Sequence, residues 1–287
     1  MKQNNHGLNI ELERQQQSET DWRFGGFSQP CIAVIPEELR FDYLPVGEVQ
    51  RGIEDMMDCA SRAPINISET KFNWLYRNNK ISNENKKWLE DNGYVQEGSV
   101  TFSDAFIAIL SGTTRQGNSL KAPLQAIENN GLIPKSKLPY NSEMTWAEYH
   151  DPNRITQSMK DLGKEFKRRF PMNYEVVEEI HYSELYEGDL LVQAGFAWSE
   201  PIDGIYPSTD NAPNHVWVGI SRPLHTIFDN YIDTVDSDFI KRLAPDYDMF
   251  EYGYRIFFSE VVKPKLTFWQ WLLLKIKNQI LMFKYFQ

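Results

Sequence analysis

The sequence predicts an α+β fold, with a helical first half followed by an antiparallel, β-rich second half. Three observations carry the prediction. Segments with helical spacing of apolar residues and recognisable caps lie before about residue 170. From residue 176 onward the chain becomes a series of short β-branched and aromatic runs divided by turn residues. An aromatic share of 14%, with 17 Phe, 14 Tyr and 8 Trp, supplies the bulk for a sizeable core and argues against disorder.

Taken in order, residues 1–22 have no apolar signal region and are polar and Gln-rich, which predicts a flexible arm. Short apolar pieces between Gly, Pro and Asp follow up to Pro45, with one strand around Cys31–Ile35. Asp58 is placed to cap a helix that starts at Cys59, and Phe72, Leu75 and Tyr76 continue the helical spacing. Pro64 interrupts it, so a short helix, a kink and a second helix are expected. Further helices are expected over SNENKKWLEDNGY, TFSDAFIAIL (capped by Ser103) and LKAPLQAIENNGL, the last ending at Gly131. VVEEIHYSE, GDLLVQAGFAW, HVWVGIS, HTIFDNYID and YGYRIFFSEVV are the expected strands.

The segment 263–287 differs from the rest. Its apolar runs reach four residues, far below the roughly 18 a membrane span needs. Five lysines and no acidic residue accompany a wide aromatic face, which predicts an amphipathic helix that contacts a protein partner or a membrane surface.

Composition excludes some functions. A net charge of −10 and the lack of a basic cluster outside the C-terminus argue against nucleic-acid binding, which draws its affinity from neutralised phosphates. Two cysteines, Cys31 and Cys59, make neither a disulfide framework nor a four-cysteine zinc site. No metal-ligand spacing such as HxxxH occurs, so neither metal nor cofactor is expected. A reducing compartment is the expected location, either the cytoplasm or a virion.

A thiol that attacks an amide must first become a thiolate, and a helix N-terminus or a nearby imidazolium lowers its pKa. Cys59 stands at such a helix start, whereas Cys31 lies in an apolar strand-like run. The base must come from His6, His150, His181, His215 or His225, and position alone does not choose among them.

The surroundings of His215 do choose. DGIYPSTDNAPNHVWVGI resembles the catalytic-histidine region of papain-like (C1) cysteine peptidases, through Gly204, Ile205, Tyr206, Asn214, His215, Val218 and Gly219. Upstream, Gly117, Ala122, Ile127, Gly131, Leu132, Pro139 and Tyr140 follow the family's glycine loop, helix and turn in order. Downstream, IFDNY puts Asp229 where the family has its orienting Asn, and Tyr231 where it has a shielding Trp. The likeness covers roughly residues 45–260.

What the resemblance implies is a two-lobed domain over 23–262, helical over about 45–170 and β-rich over about 171–262. It also implies a peptidase acting on protein or peptide substrates through Cys59, His215 and Asp229. Asn230 is the alternative orienter, since strand alternation lets one of the two neighbours face His215. Gly117, Asn118 and Asn214 would line the cleft. Asp229, being a carboxylate, is expected to stabilise the imidazolium more strongly than an amide.

The sequence departs from the family around the nucleophile. Cys59 sits in MMDCASRAPIN, with Ala60 where the family has Trp. Gln50, the oxyanion-hole candidate, precedes Cys59 by nine residues rather than six. Either the loop carries three extra residues, or a backbone amide serves alone. No inhibitory segment is expected ahead of the domain, and the pattern is nearer to compact bacterial or phage relatives than to lysosomal enzymes. An inactive papain-like interaction module and a Cys-His cell-wall amidase are the alternative functions.

Overall fold

The computed structural model describes residues 6–18, 21–23, 35–47, 49–178, 189–221, 225–231 and 239–260. Cys31 and the expected C-terminal helix 263–287 lie outside the described residues. Within them the order of elements follows the expectation, with helices up to Arg169 and the main sheet from Met172, apart from a short antiparallel pair, Val95–Gln96 with Ser99–Val100, among the helices. No helix among the described residues is long and apolar enough to cross a membrane.

Besides the single-turn helices Arg40–Tyr43 and Trp146–Tyr149, the helices are α1 (Ile10–Gln16), α2 (Cys59–Arg77), α3 (Asn83–Asp91), α4 (Asp104–Leu110), α5 (Lys121–Asn130) and α6 (Gln157–Arg169). The hydroxyls of Ser82 and Ser103 accept from the third residues of α3 and α4, satisfying N–H groups the helix itself cannot. Gly131 ends α5 with φ +71°. α2 corrects an expectation: it is one continuous helix of 19 residues with Pro64 inside it. Every residue from Cys59 to Asn73 is buried, so packing on all sides outweighs the roughly 3 kcal/mol that an interior proline costs. Asp58 does occupy the N-cap position, but its carboxylate makes no capping bond; it pairs with Arg62 Nε at 2.8 Å and accepts from the Tyr149 hydroxyl at 2.6 Å.

Seven strands form one sheet: β1 (Met172–Glu178), β2 (Leu191–Gly195), β3 (Ile205–Tyr206), β4 (His215–Ser221), β5 (Thr226–Phe228), β6 (Ile240–Leu243) and β7 (Tyr252–Phe258). Their order is β1-β7-β2-β4-β5-β6-β3, antiparallel throughout except for the β3–β6 edge. In β4 all seven residues are buried, because both sheet faces are covered. Val216, Val218 and Ile220 join the main core with α2, while Trp217 joins a second cluster with Tyr206, Ile227, Leu243 and Tyr247.

Buried charges tie helix to sheet. Lys71 on α2, its side chain fully buried, reaches Asp189 Oδ1 and the Ile256 carbonyl, both at 2.6 Å. Arg255 on β7 completes the cluster, with Nε 2.9 Å from Asp189 Oδ2. Removing one partner from such a cluster strands the other charge out of water, so Asp189→Ala is expected to lose about 3 kcal/mol in urea unfolding. The Asp189→Ala/Lys71→Met double variant should recover most of that loss, and equal stability of the two variants would count against the account.

Candidate active site

Cys59 opens α2 and is 1% exposed. α2 packs along β4, and the thiol meets the backbone of Val216, one residue beyond His215. Helix start and strand start therefore bring Cys59 and His215 to one place, although 156 positions separate them in the chain.

His215, also fully buried, faces oxygens with both ring nitrogens. Nε2 lies 2.6 Å from Asp229 Oδ1, and Nδ1 lies 3.3 Å from the His6 carbonyl. Of the two orienter candidates, Asp229 is the one that reaches the ring. Asn230 turns away, its Oδ1 accepting from Asn66 Nδ2 at 2.8 Å and its carbonyl from the Gln50 backbone N–H at 2.9 Å. Asp229 Oδ1 also accepts from the Asn230 N–H at 2.7 Å. Trp198 and Tyr231 enclose the imidazole, with ring centroids 5.8 and 4.9 Å away.

The nine-residue spacing from Gln50 to Cys59 has a structural reason. Residues 51–55 turn back on themselves through an Arg51–Asp55 bridge and a Gly52 N–H to Glu54 carbonyl bond of 3.1 Å. The extra residues thus leave the line of the chain, and Gln50 stays at the site, fully buried. Its Nε2 lies 2.9 Å from Asp55 Oδ1, 3.0 Å from the Tyr231 hydroxyl and 3.2 Å from the His6 carbonyl. The Tyr231 hydroxyl donates in turn to Asp55 Oδ2. Asp55 was invisible to motif reading, because nothing in the sequence marks a carboxylate that folds back on its own loop.

The largest departure concerns the arm. Residues 6–18, expected to be flexible, dock on the domain and cross the site. His6 and Leu8 donate their N–H groups to the Asn214 carbonyl, each at 3.2 Å. On the opposite wall Asn118 donates to the Gly7 carbonyl at 2.9 Å and accepts from the Asn9 N–H at 2.8 Å. Asn118 and Asn214 thus present their backbones to the cleft. Their side chains face away: Asn118 Nδ2 lies 2.9 Å from Ser111 Oγ, and Asn214 Oδ1 accepts from the Ala197 N–H at 2.9 Å. A Cβ on Gly7 would stand 2.7 Å from the Met57 carbonyl carbon and 3.0 Å from Cys59 Sγ. One on Gly117, at φ +84°, would come within 2.0 Å of the Gly7 oxygen. Only glycines permit so close a crossing.

α1 anchors this crossing. Asn9 caps it, and Glu13, fully buried, accepts from the hydroxyls of Tyr252 and Tyr254 at 2.8 Å each and from the Lys121 N–H at 3.0 Å. Composition indicated flexibility because the arm is polar; its polar groups are what dock it.

Covering the site changes its electrostatics. Burial pushes the Cys59 thiol well above its ordinary range, against a lowering bond from the Val216 backbone and with Asp58, Asp55 and Asp229 adding to the rise. The direction is opposite to the lowering expected at a helix start, and loss of water is its largest cause. Burial also pushes His6 down to about 4, reinforced by His215 and Arg51 and opposed by Asp55 and Asp229. For Asp229, burial favours the neutral acid, but His215 and Lys241 outweigh it and hold the carboxyl below its usual value. Among the described residues no group of three or more His, Cys, Asp or Glu is arranged to hold a metal.

With this geometry in hand, two solved structures are informative. Xylellain, a cysteine protease from Xylella fastidiosa, superposes with a TM-score of 0.52 at 12% identity, over 91% of this chain and 97% of that one. A mite-allergen structure determined to explain the limited antibody cross-reactivity between Blo t 1 and Der p 1 gives 0.51 at 12% identity, over 88% and 78%. No protein-family model and no curated protein sequence matches the chain. The likeness defines the fold as papain-like, two-lobed and α+β.

The docked arm should respond to acid. His6 titrates near 4 when docked and near 6.5 when free, so the free arm takes up a proton between those values and docking weakens as pH falls through that window. Protection of the His6, Leu8 and Asn9 amides from hydrogen exchange, corrected for intrinsic rates, should drop between about pH 7 and about pH 5. In His6→Phe the drop should vanish; protection in the native chain that ignores pH would contradict the account.

Proposed function

We propose that the chain is a cysteine peptidase that hydrolyses peptide bonds, held closed by its own residues 6–9. The observation that carries this reading is the seating of a peptide backbone beside the thiol. Asn214 and Asn118 bind that backbone through main-chain groups alone, and a carbonyl oxygen rests on the Gln50 amide. A cleft that binds backbone in this way accepts peptides without requiring particular side chains. The fold neighbours, one of them a cysteine protease, support a hydrolase of that kind.

With the arm released, Cys59 regains contact with water and can pass its proton to His215. The thiolate attacks the peptide carbonyl carbon, and the carbonyl electrons move to oxygen, where Gln50 Nε2 and the Cys59 N–H would hold the charge. His215 gives its proton to the departing amine as the C–N bond breaks, leaving a thioester. Water, deprotonated by His215, attacks the thioester and returns the thiol. Asp229 keeps the ring turned toward the thiol by accepting from Nε2 throughout.

The test is labelling of the full-length chain with an epoxysuccinyl inhibitor, alongside hydrolysis of casein peptides. Glu13→Ala, which removes the anchor of α1, should label faster than the native chain at neutral pH. The adduct should sit on Cys59, and His215→Ala in the same background should lower kcat/KM by about 10²–10⁴-fold. Gln50→Ala should lower kcat by about 10²-fold. Failure of the folded Glu13→Ala chain to label would favour an inactive interaction module, and turnover of cell-wall fragments but not casein would favour an amidase.

A further inference from the structure

Behind Asp229 lies a residue that the proposed chemistry does not yet use. Lys241, on β6, is fully buried, and its Nζ stands 3.2 Å from Asp229 Oδ2. The same ammonium donates to the Tyr231 carbonyl and lies 5.7 Å from the centre of the Trp198 ring. Asp229 therefore divides its oxygens, Oδ1 facing His215 at 2.6 Å and Oδ2 facing Lys241. Both carboxylate and ammonium are sealed from solvent.

A carboxylate in the place of a neutral orienter brings a full negative charge to within hydrogen-bonding distance of the imidazole. Alone, it would over-stabilise the imidazolium and repel a thiolate on the other side of the ring. A buried ammonium 3.2 Å away cancels that charge and leaves the accepting oxygen in place. Resting on the assignment of Cys59 and His215 above, we propose that Lys241 is a positioning residue whose charge makes the Asp229–Lys241 pair a neutral hydrogen-bond acceptor for His215. The pair then serves His215 as an amide would, with its geometry fixed by the strand that carries Lys241.

The titratable and charged groups around the imidazole are His6, Cys59 and Tyr231 and, farther out, Asp55, Asp58 and Arg51; Arg51 acts on His6, whereas Lys241 is the permanent cation that acts on Asp229. Strand alternation gave no warning of Lys241, since β6 buries Lys241 and leaves Ile240 37% exposed.

The sign of the charge separates this role from simple packing. In Lys241→Met the surroundings of His215 become more negative, and protons on ring and thiol are held more tightly. Both limbs of the pH–rate profile for peptide hydrolysis should move up by about one unit, a roughly tenfold loss on the acid limb. Asp229→Asn, which leaves the ammonium uncompensated, should move them down. Lys241→Met/Asp229→Asn restores neutrality and should return them to their native positions.

The ¹⁵N titration of the His215 ring, followed by NMR in the full-length chain, should shift in the same directions and needs no turnover. A chain that cleaves nothing but shows these shifts defeats the peptidase reading and sustains the Lys241 proposal. Should Lys241→Met fail to fold, the neutral double variant decides: native-like limbs and titration support the proposal, displaced ones overturn it. Limbs and titration unmoved in a folded Lys241→Met also overturn it.

Discussion

The contact on which the rest of the structure depends is the packing of the start of α2 against the start of β4. α2 is buried over most of its length, and β4 is covered on both faces, so neither element can slide without exposing core. Cys59 and His215 are the first residues of these two elements, and the thiol touches the backbone of Val216 as a result. The cleft follows from the same junction, with Asn118 on the helical side and Asn214 on the sheet side. Each part of the site is then a terminus or a turn held by rigid neighbours, which is where a fold can present reactive groups.

Charge is handled by enclosure. Asp229, Lys241, Lys71, Asp189, Asp58, Arg62 and Glu13 are all buried, and each has an ionic or hydrogen-bonding partner that compensates for lost water. Near the imidazole this enclosure has a chemical consequence, because in a dry site each added or cancelled charge acts strongly on its neighbours. The same enclosure raises the Cys59 thiol while the arm covers it. Burial and thiol acidity are therefore linked through water access.

Much of the site was legible in the sequence. Asn214, His215 and Asp229 were singled out by the resemblance their segments carry and Cys59 by its place at a helix start; the structure pairs His215 with Asp229 and sets the Cys59 thiol against the backbone of Val216. Gln50, singled out despite its irregular spacing, is buried against Asp55 and Tyr231, and the turn over 51–55 takes up the extra residues. Pro64 misled, because propensity speaks of isolated helices and α2 is stabilised by burial. The arm misled for a related reason: a polar segment looks unstructured until Tyr252, Tyr254 and the backbone of Lys121 receive its Glu13.

The sequence by itself determined the α+β order of elements, the positions of α3, α4 and α5, the start of α2 and the chemical groups available for the site, since periodicity, caps and turn residues act over a few neighbouring positions. Only the tertiary structure decided that Lys241 turns inward to Asp229, that Asp55 folds back on Gln50, and that Gly7 crosses Cys59. Those outcomes depend on contacts between residues far apart in the chain and on the cost of burying charge, and neither can be read from local pattern.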